Sequence, residues 1–146
     1  MHTYTVSLRI ESSTLDTAQV TKELRLTPTQ TRAVGGRRSP ETFWQKALWE
    51  LEVVPEGGAH WDSLEAGFSK LIDTFSSHKP LLQEYRAKHD VYLWVGHFSS
   101  SFSGGPRLSA ETLKALGDFG MPLYIDAYFS DDQPRSVPSR DSKALS

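Results

Sequence analysis

Three arginines, Arg32, Arg37 and Arg38, flank the pair Gly35-Gly36, directly after a threonine-rich approach of Thr27, Thr29 and Thr31. Guanidinium forks and the amides of a glycine turn both donate to anions, so this stretch is a candidate phosphate grip. It lacks the following helix N-terminus that makes a phosphate loop specific, and a solvated hairpin tip accounts for the same residues. The threonines suit turn and strand positions, where a β-branched side chain and a local hydroxyl contact are both useful. A second candidate is Asp126, between Tyr124 and Tyr128. A carboxylate among aromatic rings could serve as acid, base or counter-ion, or simply pair with Arg9 or a hydroxyl on a neighbouring strand. His97 precedes Ser99, Ser100, Ser101 and Ser103 without a Gly-x-Ser-x-Gly elbow or a separated acid partner. His60, His78, His89 and His97 show no His-x-His or His-x-x-x-His spacing, so neither a metal nor another cofactor is expected.

Composition narrows the classes further. The chain has 146 residues, formal net charge -2 and no cysteine, which excludes disulfides, thiolate zinc sites and cysteine nucleophiles. No stretch approaches the roughly 20 apolar residues of a membrane span, and the slightly acidic balance offers no global attraction to nucleic acid or anionic lipid. The opening residues, Met1 to Val6, carry no basic segment and no long apolar core, so a cytoplasmic location is expected.

Periodicity supplies the elements that must position these groups. Tyr4, Val6, Leu8 and Ile10 alternate with Thr5, Ser7, Arg9 and Glu11, a half-buried strand. Asp16 is an N-cap, with Gln19 at the capping-box position and Leu15 stapled to Val20, for a helix running to about Leu26 and stopped by Pro28. Gln30 to Val34 reads as a short strand joined by Gly35-Gly36, both with positive φ, to a long strand from Phe43 to Val54. Trp61, Leu64, Phe68, Leu71, Ile72 and Phe75 form a helical stripe, followed by a turn from Pro80 bearing Leu81, Leu82 and Tyr85. Val91 to Phe98 is a strand, Ser109 caps a third helix ended by Gly117 or Gly120, and Leu123 to Phe129 is the last strand. Residues 131–146, almost without apolar side chains, are expected to be a disordered tail after a single domain over 1–130.

The order β-α-β-β-α-β-α-β predicts an α+β fold, a largely antiparallel sheet with helices on one face. If the Val6 and Ile125 sides pack on the helices, the open face carries Arg9, Glu11, Tyr92, Trp94, Tyr124, Asp126 and Tyr128, a composition suited to recognition. Trp49 and Trp61 are expected in the core, Trp44 and Trp94 on the less apolar sides. Phe102, in the loop from Ser99 to Pro106, either folds back on the domain or awaits a partner.

The opening strand, the capped helix ending in Leu26-Thr27-Pro28-Thr29, the Thr29 and Thr31 pair, the glycine pair, Trp49, the helix start Leu108-Ser109-Ala110-Glu111 and the closing Ile125-Asp126-Ala127-Tyr128 resemble a bacterial family. It is the domain of unknown function family four-two-seven-nine, and the resemblance runs from Tyr4 to about Phe129. It implies a small α+β domain of bacterial or phage origin and carries no activity with it.

The functional expectation is a non-enzymatic binding module that docks a protein through Arg9, Tyr92, Trp94, Tyr124, Asp126 and Tyr128, in the manner of immunity proteins or adaptors. A contrasting reading is a phosphate, nucleotide or nucleic-acid binder using Arg32, Arg37 and Arg38, with Trp44 or Trp94 for stacking. A third is an enzyme centred on Asp126, His97 and Arg9, which requires those groups within hydrogen-bond reach of one another.

Overall fold

In the computed structural model, residues 1–130 are described. The expectation of a disordered tail over 131–146 lies outside them. The elements in chain order are β1 (His2–Ser12), α1 (Thr17–Leu24), β2 (Gln30–Arg32), β3 (Arg37–Ser39), β4 (Thr42–Phe43), β5 (Ala47–Val53), α2 (Leu64–Phe75), α3 (Lys79–Lys88), β6 (Asp90–Ser99), α4 (Ala110–Phe119) and β7 (Leu123–Phe129), with a short 3-10 turn at Ser76–His78. The fold is α+β. The main sheet has the strand order β2-β5-β1-β6-β7, antiparallel throughout except where β7 runs parallel to β6.

The period-two pattern of β1 sets which side is buried. Val6, Leu8 and Ile10 stand opposite Val95, Leu93 and Val91 of β6 and Val53, Leu51 and Trp49 of β5, Tyr4 stands opposite His97, and the buried side chains among them meet Leu64, Phe68, Leu71 and Phe75 of α2 with Leu82 and Tyr85 of α3. Helix α2 sits so close to β1 that a Cβ on Gly67 would lie 2.7 Å from Val6 Cγ2, which is why glycine occupies that turn. Local signals at the helix ends are used as the sequence suggests. Asp16, Ser63 and Ser109 each accept from the amide three residues on, a contact that contributes about 1 kcal/mol per helix.

Several boundaries differ from the sequence-based reading. Helix α1 stops at Leu24, before Pro28, because Arg25 takes a left-handed conformation with φ 57° and its amide caps Thr21 O. Trp61 is not helical: it bridges Tyr4 through paired backbone hydrogen bonds, and its indole donates to Val53 O. The long strand from Phe43 is broken at Trp44–Lys46, and β2 does pair with its second part, Gln30 facing Glu50 and Arg32 facing Leu48. Between them β3 and β4 form a separate small hairpin, and of the glycine pair only Gly35 has positive φ. The Ile125 side of β7 is not covered, since α4 packs on α2, and Ile125 remains 46 % exposed.

Candidate docking face

The side of the sheet opposite the helices is built by the alternate residues of every strand. Reading across from β2 to β7, one row holds Gln30, Glu50, Arg9 and Tyr92; the next holds Glu52, Ser7, Trp94 and Tyr124; then come Thr5, Gly96 and Asp126, and then Thr3, Phe98 and Tyr128. Arg9, Tyr92, Trp94, Tyr124, Asp126 and Tyr128 therefore share one face, as expected.

They divide into a sealed centre and an exposed margin. At the centre Glu50 is 1 % exposed, and a single oxygen, Oε2, accepts from Arg9 Nε at 2.9 Å and from Ser7 Oγ at 2.7 Å. The same guanidinium lies 4.1 Å above the Trp94 ring. Burial disfavours the Arg9 charge, but the Glu50 carboxylate, by field and hydrogen bond, outweighs it and holds the Arg9 pKa above its ordinary value. Trp94 lies flat along the strand over Gly96, where any Cβ would come within 2.9 Å of its ring, and with Arg9 above it the indole is 5 % exposed although no helix among the described residues covers it. Trp94 is thus a buried floor and not the exposed anchor that alternation alone suggests.

The margin carries the accessible groups. Tyr92 donates to Glu11 Oε1 at 3.1 Å, and burial raises its pKa with Arg9 opposing. Tyr124 is exposed beside it, with ring centroids 6.3 Å apart. Tyr128 stacks on Phe98 at 4.9 Å and donates to Asp126 Oδ2 at 2.8 Å. Asp126 is accordingly committed to a neighbour on its own strand, and Arg9 pairs with Glu50 instead of with Asp126.

The arginines of the glycine hairpin separate. Arg32 extends from β2 onto the helix-free face, 3.6 Å from the Trp44 ring centroid, and Arg38 approaches the same ring at 4.9 Å. Burial, then the like charge of Arg9, lower the Arg32 pKa, with Glu11 and Glu50 offsetting part of the effect. Its Nε is buried without a hydrogen-bond partner, as is Thr5 Oγ1 on the same face. Arg37 turns away, donating to Pro40 O at 2.9 Å with its guanidinium 5.3 Å from Phe43. The three arginines do not converge on one point.

The catalytic constellation of Asp126, His97 and Arg9 is not formed. His97 stands opposite Tyr4 on the helix side, stacked on that ring at 4.8 Å with its Nε2 2.9 Å from His2 Nδ1, so the sheet separates it from Asp126 and Arg9. The nearby serines are engaged with each other and with backbone: Ser99 Oγ donates to Ser101 O, and Ser101 and Ser103 share a hydroxyl contact of 2.9 Å. His78 bonds Leu24 O and His89 bonds Ser12 Oγ. Among the described residues no group of three His, Asp or Glu is gathered as a metal ligand set. Ser7 beside Glu50 is fully buried, which makes that hydroxyl–carboxylate pair a structural one.

Sequence reading missed Glu50, Ser7 and the seating of Arg32 on Trp44. Alternation does place Glu50 beside Leu48 and Glu52, but its partnership with Arg9 depends on strand order and register, which one chain's pattern does not encode. A charged residue inside an apolar strand, with an opposite charge in another strand, was the available signal. No helix among the described residues is long and apolar enough to cross a membrane. Comparison with curated proteins and with solved structures finds no match. The family model described as Domain of unknown function (DUF4279) matches residues 2–130, every described residue but Met1, and the chain belongs to that family.

Proposed function

We propose that this protein works by binding and not by catalysis, docking a protein partner on the helix-free sheet face, as toxin-neutralising immunity proteins and adaptor domains do. The observation that carries this reading is the pairing of an immobilised centre with an unsatisfied margin. Arg9 is clamped between Glu50 and Trp94, while Arg32, stacked on Trp44, leaves a buried Nε without an acceptor. Tryptophan, tyrosine and arginine dominate binding hot spots because they offer large rigid contact area with few rotamers to freeze. A partner that fits presents a carboxylate or backbone carbonyl to Arg32 and planar or apolar groups to Tyr92, Tyr124 and Tyr128. The cytoplasm and a bacterial host are the setting this reading assumes.

The test is affinity capture from the source cell followed by titration of the purified partner. Arg32→Ala and Tyr124→Ala are expected to weaken binding by at least ~10-fold, equivalent to about 1.4 kcal/mol, while Lys22→Ala on the helix side leaves it unchanged. Binding that survives both face variants refutes the proposal. The convergence of Arg32 and Arg38 on one indole favours a second reading, anion binding at the Trp44 edge. Retention on immobilised polyanion that falls steeply with salt and is lost in Arg32→Ala with Arg38→Ala supports it; wild-type protein that never binds the matrix excludes it.

A further inference from the structure

We propose that the outer edge of β7 is a self-pairing surface, through which a second copy of this chain extends the sheet in antiparallel register. Pro122 O accepts from Leu93 N and Ser130 N donates to Ser99 O, so the even-numbered residues between them direct their backbone groups to β6. Leu123, Ile125, Ala127 and Phe129 consequently aim their N–H and C=O groups outward, along an edge with no neighbouring strand among the described residues. Natural edge strands are protected by lysine, proline, a bulge or brevity. β7 has none of these: it runs over Leu123–Phe129 with unbroken register on β6 and contains neither Lys nor Pro.

Its side chains point to the same conclusion. Because α4 rests on α2, Leu123, Ile125 and Phe129 are 39, 46 and 44 % exposed on the helix side, and Phe102 from the preceding loop lies across Phe129 at 3.8 Å. Phe102 thus folds back, but onto a surface that is itself open.

Charge and size select the occupant. With a two-fold axis at Ile125, Ile125 meets its own copy, Leu123 meets Ala127, and Asp126 faces Tyr124. With the axis at Ala127, Ile125 meets Phe129 and Asp126 faces Tyr128. In both registers the one carboxylate of β7 opposes a phenol that can donate to it, as Tyr128 already does within the strand. Only an axis at Asp126 brings like charges together. The chain's own sequence after β7 is a poor alternative, since Pro134 and Pro138 lack amide donors and Val137 is its one β-branched apolar residue. Pairing of two copies also joins their docking faces into one continuous surface.

Sedimentation equilibrium over roughly 1 μM to 1 mM covers the weak end expected for a contact this small. The mass is expected to rise with concentration from 16.4 kDa toward twice that value. Ala127→Pro removes an outward amide and no internal one, and it is expected to raise the dimer dissociation constant by at least ~10-fold with the near-ultraviolet circular dichroism unchanged. The absence of cysteine permits a second readout that leaves the edge otherwise native. Opposed residues of a hydrogen-bonded antiparallel pair have Cα atoms about 5.5 Å apart, inside the disulfide range of roughly 4.4–6.8 Å. Ile125→Cys or Ala127→Cys is therefore expected to give a covalent dimer under mild oxidation, and Asp126→Cys is not. A monomer at every concentration with no cross-link overturns the proposal and leaves the edge to the chain's own terminus or to a different protein. A dimer indifferent to Ala127→Pro, or cross-linked best at position 126, overturns it as well.

Discussion

Removal of the Glu50 carboxylate is the most informative perturbation of the helix-free sheet face. In Glu50→Leu, Arg9 keeps its place over Trp94 but loses its counter-charge, and Ser7, fully buried, loses its acceptor. Breaking a fully buried ion pair from one side costs about 3–5 kcal/mol. The Arg9 side chain retains 17 % of its exposure and can recover some hydration, which places the expected loss at the low end, about 3 kcal/mol. In a chain of this size each kcal/mol moves the thermal midpoint by roughly 2–4 °C. The double variant Arg9→Met with Glu50→Leu removes both charges and keeps similar volumes, so it is expected to be more stable than Glu50→Leu alone. Urea unfolding followed by tryptophan fluorescence measures these free energies, and thermal melts followed by circular dichroism give the midpoints. A Glu50→Leu loss under ~1 kcal/mol, or a double variant that is the plain sum of the two singles, refutes the clamp.

Gly96→Ala puts a Cβ 2.6 Å from Thr5 Oγ1 and 2.9 Å from Trp94 Cη2, so the floor must shift; a loss of about 1–3 kcal/mol is expected in urea titrations, and an unchanged stability contradicts the packing. Arg25→Gly relieves a left-handed non-glycine cap, and the relief of about 1–2 kcal/mol, less the flexibility glycine adds to the unfolded chain, gives a small gain of roughly 0.5 kcal/mol; a lower midpoint argues against the cap. His97 and His89 both have lowered pKa values in the fold, each first through burial, then through the charge of His2 and of Lys88 respectively. The unfolded chain therefore takes up their protons at higher pH than the native one, so stability is complete above pH ~6.5 and falls as pH drops through the folded values. Glu23 and Glu65, whose pKa values are lowered by hydrogen bonds from Tyr85 and from the Ser109 amide, lose their contribution only below about pH 4.5. Urea midpoints between pH 7 and 5 thus isolate the histidines, and the slope should flatten in His97→Gln with His89→Gln; an equal slope in that variant rules the histidines out.

What the sequence encoded locally is what it revealed. The alternation of β1, the serine and aspartate caps, and the side of β6 and β7 on which Tyr92, Trp94, Tyr124, Asp126 and Tyr128 stand are each decided within a few residues, and each was legible. Register is not local. Whether Arg9 meets Asp126 or Glu50 depends on β5 and not β7 lying beside β1 on that flank, and alternation is equally satisfied by both. The same blindness hid the surroundings of Trp94: its period assigns it a face, but not the guanidinium that β1 lays over its ring or the room that the missing Cβ of Gly96 leaves for it. It also hid the opening over Ile125, because an apolar strand face predicts a cover without naming it, and α4 went to α2. The side of β7 that the sequence assigns to the core stands exposed in the fold, and that mismatch, more than any motif, is the observation on which the proposed self-pairing rests.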